Sequence, residues 1–192
     1  MARRSAQTAI NEILNVLVRL MAPILSFTAD EIWNHMPEDG RLPSVHADLF
    51  IPGKEEYKDK KLAERWEKII KVRGEVTRAL EIARKNKEIG HSLDAEVQLA
   101  LPEDYMEELT PYQDQLKTIF IVSSVQLVSP DTLDGGYESE EIENLKVKAV
   151  PSANQKCERC WVHDPTIGHH DQHKTICRRC VNALEEMGML AP

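Results

Sequence analysis

The first strong pattern along the chain is helical. Ala6, Ile10, Ile13, Leu17 and Leu20 recur at spacings of three and four, and Leu14, Val18 and Met21 widen the stripe, so an amphipathic helix is predicted over residues 3–21. Pro23 cannot continue it. A second helix is expected to open at Thr28, where Glu31 completes a capping box and Phe27 is placed to staple onto Ile32. Two helices with stripes this wide cannot cover each other, so the pair reads as part of a larger bundle.

Residues 40–56, punctuated by Gly40, Pro43, Pro52 and Gly53, read as a linker. A long helix over residues 57–89 follows, with Leu62, Trp66, Ile69, Val72, Val76, Leu80 and Ala83 on one face and Gly90 as its C-terminal cap. Residues 95–101 alternate apolar and polar, as a half-buried strand does. Residues 102–117 are helical in composition, interrupted near Thr110 and Pro111. Residues 119–128 are rich in β-formers, with Phe120, Val122, Val125 and Leu127 as the bulky members. The acidic run DTLDGGYESEE reads as a loop, and Leu145, Val147 and Ala149 mark a short third strand. Met21, Met36 and Met106 read as core or gap-filling side chains. The resulting expectation is an α+β chain. It comprises a helical pair over 1–39, the linker, a small α/β domain over 57–150 and a four-cysteine module over 151–192.

Composition narrows the function classes. Apolar residues make up 42% of 192 and aromatics 5%, enough for a core. No apolar run approaches the length of a membrane span, and the two N-terminal arginines precede no uninterrupted apolar region of a secretory signal. A cytoplasmic, non-membrane protein is therefore expected. The net charge of −8 gives no overall attraction to polyanions. Locally, residues 54–87 carry twelve Lys/Arg against seven Asp/Glu, whereas residues 103–143 carry eleven acidic residues against Lys117 alone. Any nucleic-acid contact must be patch-sized.

The strongest chemical signal is Cys157-x-x-Cys160 followed, after sixteen residues, by Cys177-x-x-Cys180. Two such knuckles deliver four thiolates to one ion with no open position, the pattern of one structural Zn²⁺. Four thiolates also suit iron, and two disulfides would require an oxidising compartment. Few apolar residues surround the site, so metal binding is expected to supply much of the module's folding free energy. His163, His169, His170 and His173 lie between the pairs. With four cysteines in register they read as surface or partner-facing residues. Lys156, Arg159, Arg178 and Arg179 sit on the knuckles. They either compensate the −2 charge of a zinc tetrathiolate or contact phosphates, with Trp161 as a stacking surface for an unpaired base; both readings stand. Lys71, Arg78 and Lys85, at seven-residue spacing on the long helix, offer a further cationic line, or a solvated face laced with Glu67, Glu75 and Glu81.

Three motifs together resemble one family. APILSFTADEIW (residues 22–33) resembles the end of the helical anticodon-binding domain of class I aminoacyl-tRNA synthetases. RALEIARKNKEIGHSLDAEVQL (residues 78–99) resembles the region that follows it in the bacterial-type isoleucyl branch, and KCERCW…IGHH…TICRRCV (residues 156–181) is similar to that branch's closing zinc finger, a finger type shared with formamidopyrimidine-DNA glycosylases. The resemblance implies a C-terminal, tRNA-binding region whose cysteines hold zinc and whose finger faces tRNA(Ile). It also implies the rest of a synthetase chain as partner, in a monomer. ATP would bind only in the catalytic half. The His-Ile-Gly-His and Lys-Met-Ser-Lys-Ser motifs of that half have no counterpart here beyond a superficial likeness in Ile89-Gly90-His91-Ser92, so no catalytic residue is expected. Two other classes remain open: the nucleic-acid-binding tail of a DNA-repair glycosylase, and a zinc-stapled protein-interaction module.

Overall fold

In the computed structural model, which describes residues 2–37 and 40–189, the first stripe becomes α1 (Ala2–Met21) and the next helix α2 (Ser26–His35). They belong to the first of two units, Met1–Asp59 and Lys60–Pro192. Val18, Ala22, Ala29, Trp33, Met36 and Val45 form the first unit's core, with Leu14, Met21 and Ile32 packed against it. Val45 comes from the segment read as a linker, on a single 3₁₀ turn (Val45–Ala47) where Ser44 Oγ accepts from the His46 N–H. The Arg19–Asp48 ion pair (2.7 Å) ties the same segment to α1. The outer half of α1's stripe lacks cover: Ile10, Ile13, Leu17 and Leu20 are 47–64% exposed.

The capping box at Thr28 does not form. The N–H groups of Ile24 and Leu25 donate back to Met21 O (2.9 and 2.8 Å), so the turn after Pro23 runs directly into α2 and Thr28 already lies inside it. Ser26 Oγ donates to Ala22 O (3.0 Å), and Phe27, 94% exposed, staples nothing.

In the second unit, α3 (Lys60–Lys85) packs on one face of a four-stranded sheet. The strands are β1 (Ala95–Ala100), β2 (Ser124–Val128), β3 (Tyr137–Glu138) and β4 (Lys146–Pro151), in the order β2-β1-β4-β3. β1 and β2 are parallel, joined through α4 (Glu103–Leu109) and α5 (Gln113–Phe120), whereas β4 runs antiparallel to both β1 and β3. Ile69, Val72, Val76 and Leu80 of α3 meet Val97, Leu99 and Val147 of the sheet and Leu116 and Phe120 of α5 in one core.

Three boundaries differ from the sequence expectation. Leu62 (43% exposed) and Trp66 (37%) stand in the first two turns of α3, beyond the end of that core. The helix stops at Lys85 because Lys87 adopts φ +63°: its N–H donates to Arg84 O (3.0 Å) and that of Glu88 to Ala83 O (2.9 Å), a Schellman closure made without Gly90. Leu116 and Phe120, four residues apart, bury on one face of α5 and extend that helix into the β-rich run, so β2 begins only at Ser124, after Ile121 closes the helix at φ +58°.

The acidic segment is folded. Leu133 and Ile142 are buried, and Gly136 turns into β3 at φ +101°, where a Cβ would stand 2.8 Å from Val147 O. Tyr137 Oη (3.0 Å) and Arg78 Nη1 (2.6 Å) donate to Glu75, whose carboxylate on α3 is 1% exposed. Arg78 also pairs with Glu141.

Candidate metal centre

Each cysteine pair sits on its own local structure. Cys157 begins a tight hairpin in which its N–H donates to Val162 O (2.9 Å) and the Trp161 N–H donates to Cys157 O (2.8 Å). Trp161 closes that knuckle at φ +66°, a left-handed conformation that disfavours any side chain bearing a Cβ. Its indole is 58% exposed. Cys177 is the N-cap position of α6 (Arg178–Glu186), whose first turn carries Cys180. Thr166 Oγ1 accepts from the Arg178 N–H (2.9 Å), joining the intervening loop to that helix.

The four sulfurs lie within 4.8 Å of one another, with Cys157–Cys180 at 3.8 Å and Cys160–Cys177 at 3.7 Å. A tetrahedron of sulfurs about 2.3 Å from one ion has edges of about 3.8 Å. Disulfides, at about 2.05 Å, do not fit these separations. Backbone N–H groups point at the sulfurs, including that of Cys177 toward Cys157 (3.3 Å). Burial pushes the Cys157 thiol up, but the N–H groups of Cys160, Cys177 and Arg159 outweigh it and bring it down to about 6. Burial, reinforced by the Cys180 and Cys160 thiols, pushes Cys177 up to about 12. Burial also raises Cys160. Without a cation the cluster therefore supports the Cys157 thiolate readily and resists those of Cys160 and Cys177. A divalent ion supplies the charge that lets all ionise.

The surrounding cations have different occupations. Arg159 Nη1 reaches Cys180 Sγ at 3.7 Å. Arg179 turns toward Cys160; burial lowers its proton affinity, but the Cys160, Cys180 and Cys177 sulfurs raise it by more. Lys156 pairs with Asp94 (3.3 Å) and lies 5.7 Å from the Trp161 ring centroid. The Arg178 side chain is exposed and makes no ion pair among the described residues; with His169, His170 and Asn182 it lines an open cavity of about 390 Å³. On α3, Lys71 pairs with Glu67 (3.1 Å) and Arg78 with Glu75 and Glu141, while Lys85 is exposed without an ion pair among the described residues.

His163 is the residue whose position the spacing hid. Instead of facing outward it docks the module on the sheet. Its N–H donates to Ser123 Oγ (2.7 Å), its Nδ1 meets Asn154 O (2.7 Å), and its Nε2 is 3.4 Å from Asp94 Oδ1. The apolar alternation of 95–101 marks the strand that Asp94 leads into, but no local pattern pairs Asp94 with a histidine 69 positions later.

Residues 1–99 match the family model described as the anticodon-binding domain of tRNA ligase, and residues 154–183 match the zinc finger found in FPG and IleRS. The chain is 46% identical over 186 residues to the isoleucine–tRNA ligase of Syntrophotalea carbinolica, covering 96% of this chain and 20% of that protein. The corresponding enzyme of Moorella thermoacetica is 45% identical over 190 residues (97% and 20%), and that of Haemophilus influenzae 43% over 185 residues (94% and 20%). The chain thus spans about a fifth of the length of these curated relatives. No described helix is long and apolar enough to cross a membrane.

Proposed function

Because the chain belongs to the anticodon-binding domain family of tRNA ligases, we propose that it is the RNA-binding end of an isoleucine–tRNA ligase, engaging the anticodon end of tRNA(Ile). Isoleucine activation with ATP would occur in the part of the enzyme outside this chain. One Zn²⁺ on Cys157, Cys160, Cys177 and Cys180 would be structural, since four thiolates leave no position open for substrate.

The observation that carries the reading is the first knuckle. Trp161 is held outward on a left-handed backbone, beside Lys156 and a group of cations. Unpaired RNA bases are recognised by stacking on such exposed rings, with phosphates held by neighbouring cations. In this reading Arg159 and Arg179, beside the sulfurs, compensate their charge, Lys156 supports docking and the platform, and Arg178 is left for a phosphate. Lys71, Arg78 and Lys85 remain candidates for the RNA surface, with Arg78 also bracing the acidic segment.

Arg178→Glu tests this. With zinc retained, tRNA binding should weaken and the log–log salt slope should flatten by about 0.7–0.9, the value of one lost phosphate contact. Trp161→Ala should weaken binding by about 1–3 kcal/mol, the contribution of one stacked base. Unchanged affinity in both variants, with zinc bound, would remove the finger from the RNA interface.

A further inference from the structure

We propose that the pocket between α1 and the segment after α2 is an oxyanion site that seats a backbone phosphate of the RNA. The cavity has a volume of about 430 Å³, and its walls include Asn11, Asn15, Arg19, Met36, Arg41 and Asp48. It belongs to the helical unit, and none of its residues is among the cationic positions considered above.

Two guanidinium groups lie against Trp33, Arg19 at 4.7 Å and Arg41 at 5.3 Å from the ring centroid, but their hydrogen bonding differs. Each nitrogen of Arg19 is engaged: Nη2 and Nε donate to Asp48 Oδ2 (2.7 and 3.2 Å) and Nη1 to Asn15 O (2.6 Å). Arg41 Nη1 is buried and finds no acceptor among the described residues. A buried charged donor left without a partner is strongly disfavoured, so an orphan on a side chain that lines a cavity marks a place for an acceptor from outside. The Asn11 side-chain amide, on the same wall, makes no hydrogen bond among the described residues and offers a second donor.

The chemistry of the wall selects the acceptor. A nucleobase would need an aromatic face, and Trp33 is only 1% exposed, its Nε1–H already donating to Leu42 O (2.8 Å). The one carboxylate on the described wall, Asp48, is neutralised by Arg19. What remains is the Arg41 cation with N–H donors, which matches a phosphate oxygen. This assignment rests on the RNA-binding reading above. It predicts a second point of contact, on the helical unit rather than the finger.

The test uses the 192-residue chain, a tRNA(Ile) transcript and a series of salt concentrations, with thermal unfolding of every variant. Arg41→Gln should weaken binding and flatten the log–log salt slope by about 0.7–0.9, and Arg41→Lys should restore the slope. Asn11→Asp, at an exposed position on α1 outside the core, should weaken binding without lowering the unfolding temperature. It decides the matter if Arg41→Gln does not fold. Inorganic phosphate at millimolar concentration should compete with tRNA in the parent chain but not in Arg41→Gln. A parent chain that binds tRNA while folded Arg41→Gln or Asn11→Asp binds with the same affinity overturns the site and leaves the finger reading standing. Competition by phosphate with no change in the tRNA slope also overturns it, as a small-anion site that RNA does not occupy. A parent chain that binds no tRNA removes both readings.

Discussion

Changing Cys177 to Ser should unfold the cysteine module while leaving the sheet intact. In the module, Cys157, Cys177, Cys180 and Val181 are the described residues with less than a tenth of their surface exposed. Burying one valine contributes about 1.5–3 kcal/mol, and the half-buried Ile167 and Ile176 add less. A structural zinc site contributes about 10–16 kcal/mol to the folding of a module of this kind. The metal term is therefore several times larger than anything the apolar contacts can supply. By contrast, the core between α3 and the sheet holds eighteen buried residues, among which only carbon side chains meet, and none of them is a metal ligand. Amide hydrogen exchange of the zinc-loaded chain, the variant and the chelator-treated chain reads this directly. Residues 157–186 should lose protection in the last two, while β1, β2 and β4 keep theirs. Emission from the exposed Trp161 should change in parallel. Persistent protection of residues 157–186 after verified metal loss would refute the reasoning, because the module would then be folding on contacts that the structure does not contain.

Tyr137→Phe deletes one of the two donors to the buried Glu75 carboxylate and should cost about 1.5–2 kcal/mol, the lower part of the range for bonds to charged groups because Tyr137 is only partly buried. Urea unfolding should show the loss as a lower midpoint, and the same change in a Glu75→Gln background should cost less. Asp48 has a pKa below its ordinary 3.8, chiefly through the Leu49 N–H, with burial opposing and Arg19 assisting. A depressed carboxylate stabilises the folded state fully above 3.8 and loses that contribution as pH falls through its lower folded value. The helical unit should accordingly lose stability below pH 3.8, and Asp48→Asn should be less stable at pH 7 while lacking that component of the acid dependence, as thermal unfolding across pH will show. Gly136→Ala should destabilise the α3-packed unit, because a Cβ there meets Val147 O at 2.8 Å on a backbone of positive φ; a melting temperature equal to that of the parent would contradict the packing.

How much of this was legible in the sequence depended on whether one residue or several distant ones carried the signal. The four cysteines announced their cluster through spacing alone, since a Cys-x-x-Cys turn is a local geometry. The stripe of α3 and the alternation of β1 likewise reflect one element facing one core. Helix ends were less legible. Gly90 and Thr28 fit the usual capping chemistry, yet Lys87 closes α3 and the turn after Pro23 opens α2, because backbone hydrogen bonds already available there satisfied the terminal groups. The acidic segment read as a loop since its buried residues, Leu133 and Ile142, are isolated in sequence, and Ile142 joins a core built by α3 and the sheet. Of the four knuckle cations, charge pattern named all; only distances put Arg159 beside a sulfur and Lys156 beside Asp94.

The stretch between β4 and the first knuckle has a mechanical meaning. The Ser152 N–H donates to Asp94 O (2.8 Å), Ser152 Oγ and Asn154 Nδ2 both donate to Glu96, and the Asp164 N–H donates to Gln155 O (3.0 Å). Ser152 and Asn154 of the would-be tether are both held at β1, which limits the module's slack with respect to that strand. Its position is keyed to strand register, in which Val150 stands opposite Glu96. A slip of β4 by one residue would turn its side chains to the other face and carry Lys156 and His163 away from Asp94 together. Force applied at the Trp161 knuckle is consequently delivered to β1, an inner strand of the sheet, as along a stiff lever, instead of being absorbed in a hinge.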